Sequence, residues 1–391
     1  MTFRRFFSFF CALSISLCSF AGIQFDNLDL NEKNELLFTI ENKTAGTFSY
    51  RSVFRSSISD GVSIKTPEIL TCFPERMDLL SKDSVLQIQN RWGTALYSFV
   101  SENLSYIEKA EGIPLSLARP VPVSVSPDGK WQCYVKRLSS VSGELLLQNT
   151  ASRKTYTLNR NADFSYTEVP VKWSPDSSTL LYKNGSVICF ANPDAVAKNV
   201  QIEERFRTIG EGTLNCAAFT RTQQLVFIDG DIVYRLGVSE LYTLGLYSSF
   251  ISGGTAAARL PSLFNPDKDR FFVNDDATEV AVIQNNKNVS LYKIAENQFS
   301  YVQVLYSRPY INTTGSVISM FVIWPEGQNT VPSLQVELMP LLTGKKEYRL
   351  YQITSVLKET LLISEPQSFA VNKSATKAAY YFENSVSVYD T

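Results

Sequence analysis

The chain contains no histidine. That absence excludes Ser-His-Asp and Cys-His nucleophile systems, His-ligated zinc, HExxH sites and His-ligated haem. An excess of one charge is also missing, because 37 Lys and Arg stand against 38 Asp and Glu. No strong overall field draws in nucleic acid or anionic lipid. Cysteine is sparse, with six residues and no CxxC spacing, so zinc-ribbon and thioredoxin chemistry are not indicated. After residue 21 no stretch approaches the roughly 18 uncharged apolar residues of a membrane span, so the mature chain is expected to lack a transmembrane segment.

What is present points to strands. Aromatics reach 12%, with 25 Phe and 19 Tyr, which suits pleated surfaces better than helices. Hydrophobic residues at 44% against 19% charged exclude a disordered chain. A length of 391 residues allows two or three domains or one large repeat domain.

Residues 1–21 read as a secretory signal peptide. Arg4 and Arg5 form a basic start, Phe6 to Phe20 is largely apolar, and Ser19-Phe20-Ala21 supplies the small residues of a cleavage site after Ala21. A lipid anchor on Cys18 is the alternative, disfavoured because Leu17 precedes it where such sites need a small residue. The mature chain then starts at residue 22, carries a net charge of −3 and keeps Cys72, Cys133, Cys189 and Cys216. An oxidising compartment permits disulfides among these four, and the sequence leaves their pairing open.

The rest of the chain repeats. Ser126-Pro127-Asp128-Gly129 has type I turn chemistry and recurs 48 residues later as Ser174-Pro175-Asp176-Ser177. The same frame starts at Asn31, Ser81, Ser126, Ser174, Thr220, Asn274 and Asn372, with a degenerate copy at Val322–Gly327. The residue before each start is apolar: Leu30, Leu80, Val125, Trp173, Phe219, Val273 and Val371. The residue seven after it is apolar too: Phe38, Ile88, Cys133, Leu181, Phe227, Ala281 and Ala379. Lys183-Asn184-Gly185-Ser186 and Ile228-Asp229-Gly230-Asp231 are strand–turn–strand patterns, so each unit reads as an antiparallel meander. One meander cannot bury both its faces and must stack on its neighbours. Four-stranded units of this length wrapped in a ring make a β-propeller.

Asn31 to Asn372 spans 341 residues in seven steps of about 49, which predicts an all-β propeller of eight blades over residues 22–391. If the end units share a blade, with residues 22–30 helping to close the ring, the count is seven. Leu30 and its six counterparts are expected to be buried at equivalent positions round that ring.

The Ser-Pro-Asp-Gly turns, set between an apolar residue and a strand-like run, resemble the WD40-like repeats of TolB-like bacterial propellers. The resemblance is strongest over Ser126–Tyr134 and Ser174–Tyr182. It implies a periplasmic propeller that works through protein partners. TolB-like proteins carry an α/β domain before the propeller, and here the repeats begin by residue 31.

Candidate chemistry is thin. Asp128, Asp176 and Asp276 read as turn acids bonding their own backbone, since one acid per unit is too few for calcium. Asp229 and Asp231 belong to a hairpin. Cys133 and Cys189 fall in core positions. Ser252-Gly253-Gly254-Thr255 lacks the ending of a phosphate loop and reads as part of a flexible connection from Gly237 to Leu260. Glu203, Glu204, Arg205 and Arg207 read as a solvated loop or outer strand. No cofactor or metal is expected.

Trp92 stands out, because Arg91-Trp92 at a hairpin tip is an anchor pair typical of binding surfaces. The tips joining second and third strands also carry Arg137, Lys183, Asn286 and Lys287, and this face is expected to be more positive than the chain as a whole. The reading is an exported, monomeric, non-catalytic propeller, most simply periplasmic, that binds another envelope protein or peptide through this face. The alternatives are a glycoside-cleaving enzyme with paired carboxylates in the channel, or a surface adhesin.

Overall fold

The computed structural model describes residues 22–31, 33, 35–43, 49–57, 68–72, 74–80, 85–90, 92–109, 122–166, 168–198, 206–243, 256–294, 303–309, 315–325, 330–354, 357–382 and 385–391. Residues 1–21, Ser81, Arg91, residues 201–205, residues 252–255 and residues 383–384 lie outside these.

The described residues build eight small antiparallel sheets in which strand order follows chain order. Seven sheets have four strands and the last has three. Their first strands are Gly22–Leu30, Arg76–Leu80, Ser124–Val125, Val171–Trp173, Ala217–Phe219, Arg270–Val273, Gly315–Ile323 and Ser368–Val371. Each apolar residue that precedes a repeat start in the sequence is thus the last residue of a first strand. The expected meander is present in every unit, and the degenerate copy at Val322 marks the end of the seventh first strand.

In six of the eight units the turn after the first strand is closed, among the described residues, by the small polar residue that begins the repeat. Ser126 Oγ accepts from Trp131 N at 3.0 Å, and Ser174 Oγ accepts from Thr179 N at 2.9 Å. Asn274 and Asn372 each place Oδ1 2.9 Å from two backbone N–H groups across the turn. Asn31, Ser126, Ser174, Thr220, Asn274 and Asn372 are all buried, because a polar atom that satisfies turn backbone can leave water without penalty. The fourth residue of five of these turns is left-handed: Gly129, Ser177, Gln223, Ala277 and Ala375, with φ between 54° and 74°. Only the first of them is the glycine that this backbone favours.

The column seven residues on lies in the second strands. Ile88, Cys133, Leu181, Phe227, Ala281 and Ala379 are fully buried and Phe38 nearly so. These side chains fill the seams between sheets. Leu37 and Val53 of the first sheet pack with Leu86 and Ile88 of the second. One cluster joins the third sheet to the fourth, another the fourth through the sixth, and a third the sixth to the seventh. Tyr348 stacks on Phe369 between the seventh and eighth sheets, with centroids 4.8 Å apart. Leu28 and Leu30 of the first sheet pack on Ala370 and Ala379 of the eighth, so first and last units touch. They remain separate sheets among the described residues, and residues 22–30 form the first strand of the first sheet, not a fourth strand of the last.

The expected burial of the first-strand ends needs correction. Leu30 and Val125 are buried, but Trp173, Phe219, Val273 and Val371 are only half-buried, and the Leu80 side chain lies outside the described residues. Trp173, Phe219 and Val273 pack against the seam clusters from their edge, with one side of each left open. A cleft of about 440 Å³ runs along the first strands of the second, third and fourth sheets, and Trp173 is part of its wall. The connection from Gly237 to Leu260 is also not one loop, since it holds a short 3₁₀ helix at Val238–Thr243 and the fifth sheet's outer strand Ala256–Arg259.

Candidate functional site

Contacts between neighbouring sheets fix which ends lie together. At the first–second turns, Asp128 N donates to Ser177 Oγ at 3.0 Å. The Gln223 amide, oriented to satisfy both groups, pairs with Asp176 at 3.2 Å, and Thr222 Oγ1 donates to the Asp275 carbonyl. Phe272 and Phe321, near the ends of first strands, meet edge to face at 4.8 Å. At the other end Asn159 donates to the Lys183 carbonyl, and Gln89 donates to the Val123 carbonyl. From the third sheet to the seventh the second–third hairpins therefore share one end and the first–second turns the other, whereas the second sheet is offset: Glu108, beside its hairpin, pairs with Arg153 and accepts from Gln132 on the turn side of the third.

At the turn end the carboxylates are engaged. Asp128 accepts from Ser126 Oγ at 2.7 Å and from Lys130 N at 3.1 Å. Asp176 accepts from Ser174 Oγ at 2.6 Å and from Ser178 N at 3.0 Å. Partial burial pulls both carboxyls upward, but these hydrogen bonds outweigh it and hold them below the ordinary aspartate range. Among the described residues no three His, Cys, Asp or Glu side chains cluster as a metal site would require. Cys133, Cys189 and Cys216 are buried thiols outside any disulfide, and burial pushes the Cys133 thiol far up, which makes it inert. The Cys72 side chain lies outside the described residues.

Beside the hairpin of the second sheet, the second and third sheets part around a cavity of about 190 Å³. The Trp92 hairpin forms one wall. Asn90 Oδ1 accepts from Trp92 N and Gly93 N, both at 3.0 Å, and the Trp92 carbonyl accepts from Lys109 N at 2.7 Å. Gly93 is required because a Cβ there would sit 2.1 Å from the Ile107 carbonyl oxygen of the outer strand. Trp92 is held on this rigid turn with 45% of its surface exposed.

Polar groups converge on the cavity from several elements: Arg76, Gln89, Thr94, Lys109, Gln132 and Tyr166. Arg76 is clamped to Asp78, Nε to Oδ2 at 2.8 Å, while burial lifts the Asp78 carboxyl against that ion pair. Burial also lowers the Lys109 ammonium, with Glu75 opposing. Gln132 is fully buried, donating to Gln148 Oε1 at 2.8 Å and to the Glu108 carbonyl at 3.3 Å. The site can hydrogen-bond carboxylates and amides beside an apolar indole.

The residues singled out in the sequence distribute as follows. Asn90 and Gly93, on the Trp92 hairpin, line the cavity while Trp92 itself does not, and Arg91 lies outside the described residues. Arg137 reaches the cavity's edge, because its guanidinium lies over Phe164 and Tyr166, 5.5 and 5.6 Å from the ring centroids, and donates to the Tyr166 hydroxyl. Lys183 lies on the fourth sheet, 4.0 Å from Asp163. Asn286 and Lys287 lie on the sixth, where Asn286 accepts from Arg270 at 3.1 Å. These three share the hairpin end without joining the cavity. The groups missed were Arg76, Gln89, Lys109, Gln132 and Tyr166, which come from five strands or connections and meet only in the fold.

The molecule is an all-β protein of β-propeller type, as the succession of meanders and their seams define it. No protein-family profile matches the chain, and no curated protein sequence matches it. Solved structures similar in overall course include a eukaryotic initiation factor, at a TM-score of 0.48 and 9% identity over 92% of this chain and 94% of that one. Kluyveromyces lactis Hsv2 is similar at 0.47 and 6% identity over 88% and 100%. KlAtg21, in complex with the AgAtg16 coiled coil, is similar at 0.36 and 9% identity over 73% and 99%. At these values the fold class rests on the sheets themselves.

Proposed function

We propose that the chain is an exported, TolB-like propeller of eight blades that binds an acidic or amide-rich segment of another envelope protein and performs no catalysis of its own. The observation that carries this reading is the Trp92 hairpin standing beside the cavity. A rigidly held, half-exposed indole next to convergent cations and amides is the composition of a binding hot spot. Arg76 and Lys109 supply positive charge, and Gln89 and Gln132 supply amides that pair with an extended backbone. The repeated carboxylates that a hydrolase would use are taken up in turn hydrogen bonds or, at Asp78, by Arg76. Export is supported by Arg4, Arg5 and the apolar run to Ala21. The eight-blade count is supported by the eight sheets and the contact between the first and last.

The test is quantitative capture from envelope extract with the mature chain, with the double substitution Arg91→Ala/Trp92→Ala, and with Lys130→Ala at the opposite end. The reading expects one partner whose affinity falls about thirtyfold with the double substitution, the scale of a lost hot spot. Lys130→Ala leaves capture unchanged. Equal capture by all three proteins, with circular dichroism confirming the fold, would remove the site from this cleft.

A further inference from the structure

The hairpin end carries a second feature that the cleft does not use. Large apolar side chains stand in water at the tips of several units. Leu341 and Leu342, on the seventh sheet's hairpin, are 77% and 89% exposed. Leu138 and Val141, on the third sheet's hairpin, are 63% and 70% exposed. Leu263 is 74% exposed and sits over the fifth sheet's hairpin, with Cδ2 3.8 Å from the Cβ position of Gly230. Connections at the opposite end show, among the described residues, only Val100 and Val331 in this state.

The arrangement matters as much as the exposure. Counted round the succession of sheets, the third and seventh have three sheets between them in either direction. Their apolar prongs therefore stand on opposite sides of the same end, with Leu263 between them on one arc. Three separated prongs define a plane and do not form one contiguous patch. A compact partner would have to span the whole width of the molecule to cover them, whereas a flat apolar boundary meets all three together. Cations accompany the prongs. Lys136 and Arg137 precede Leu138, and Lys345 and Lys346 follow Leu341-Leu342 within one hairpin. Lys345 pairs with Glu365 and Lys346 with Glu337, yet their side chains remain 61% and 44% exposed. Leucine tips with basic side chains at their base match the order of a bilayer surface, acyl boundary beneath anionic headgroups. The near-neutral chain has no long-range attraction to such a surface, so contact depends on these local groups.

We propose that the hairpin end rests on an anionic bilayer, with Leu138, Val141, Leu263, Leu341 and Leu342 inserted at the headgroup boundary. Arg137, Lys345 and Lys346 contact the lipid phosphates. The molecule then lies flat on the membrane, its turn end facing the aqueous side. This inference is independent of the cleft reading, and the two are tested on different residues.

The experiment is vesicle co-sedimentation of the mature chain with vesicles of equal parts phosphatidylcholine and phosphatidylglycerol, and with phosphatidylcholine alone. Variants are Leu341→Ser/Leu342→Ser, Leu138→Ser/Val141→Ser, Leu263→Ser and their combination, all at exposed positions, with thermal unfolding as the folding control. Binding to the anionic vesicles is expected, weaker on phosphatidylcholine, falling about tenfold with each paired substitution and lost in the combination. A Leu342→Trp variant, read against the unsubstituted chain, should gain a blue-shifted emission on the anionic vesicles. Absence of binding to either vesicle overturns the proposal. So does binding that survives the combined substitution. Sedimentation equilibrium that shows a dimer abolished by the same variants assigns the prongs to a second copy instead and equally overturns it.

Discussion

The two ends of the molecule are built from the same eight units and solve opposite problems. At the turn end each loop satisfies itself and then its neighbour: Ser174 closes its own turn, Asp176 reads that turn's hydroxyl, and Gln223 of the next unit reaches back to Asp176. The polar residues that start those first–second turns are buried and hydrogen-bonded. At the hairpin end the connections stop short of one another. They leave a cavity beside the hairpin of the second sheet, a half-exposed Trp92 and leucines fully in water. One end spends its side chains on holding the ring together, and the other leaves them available to something outside. That division of labour is what a rigid scaffold with a single working face requires.

The sharpest way to break the comparison is at its common foundation. Phe227→Ala in the fully buried second-strand column should destabilise by about 3–5 kcal/mol in urea unfolding, the cost of a cavity left by a buried aromatic. Trp173→Ala should cost less, about 1–3 kcal/mol, because the indole is half-buried and its main polar contact is Nε1 donating to Ser124 Oγ at 3.1 Å. At the turn end, Ser174→Ala removes an acceptor for Thr179 N and a donor to Asp176, and should cost about 1–2 kcal/mol.

The turn end also predicts a pH dependence. Asp128 and Asp176 have folded values below their unfolded ones, so the unfolded chain binds the extra protons as pH falls. Their contribution is whole above the ordinary aspartate range, about 3.9, and is lost as pH drops through the lowered folded values. Urea midpoints of the unsubstituted chain should therefore fall over that window more steeply than those of Asp128→Asn/Asp176→Asn. Parallel curves would mean that these carboxylates do not clasp their turns. The smallest effect belongs to the hairpin end, where Leu341→Ser/Leu342→Ser should change stability by no more than about 0.5 kcal/mol, since the side chains pack against little.

The same contrast explains what could be read in advance. The turn end is local chemistry at a fixed period: a small polar residue, an acid two further on in the second, third, fourth and sixth units, and an apolar residue seven on. Each acts within a few residues of itself, so spacing alone exposed the meanders and the second-strand core. The hairpin positions were legible for the same reason, down to Arg91-Trp92. The burial of Trp173 was not, because an apolar residue that ends a strand looks the same whether it is enclosed in a seam or packs against it from the edge. The cleft was hidden because Arg76, Lys109, Gln132 and Tyr166 are far apart in the chain. Arg137 read as an open cation, and its partners Phe164 and Tyr166 arrive only when the outer strand returns. The seventh hairpin went unmarked because its unit lacks the polar start, so Leu341 and Leu342 had no frame to be counted in.

The central claim is that the hairpin end is the working face. Hydroxyl-radical footprinting of residues 22–391, alone and with vesicles of equal parts phosphatidylcholine and phosphatidylglycerol, tests this most directly. The account predicts protection of Trp92, Leu138, Leu341 and Leu342, with residues 126–130 and 174–178 modified to the same extent in both samples. Protection of those turns, with the hairpin residues unchanged, would contradict it.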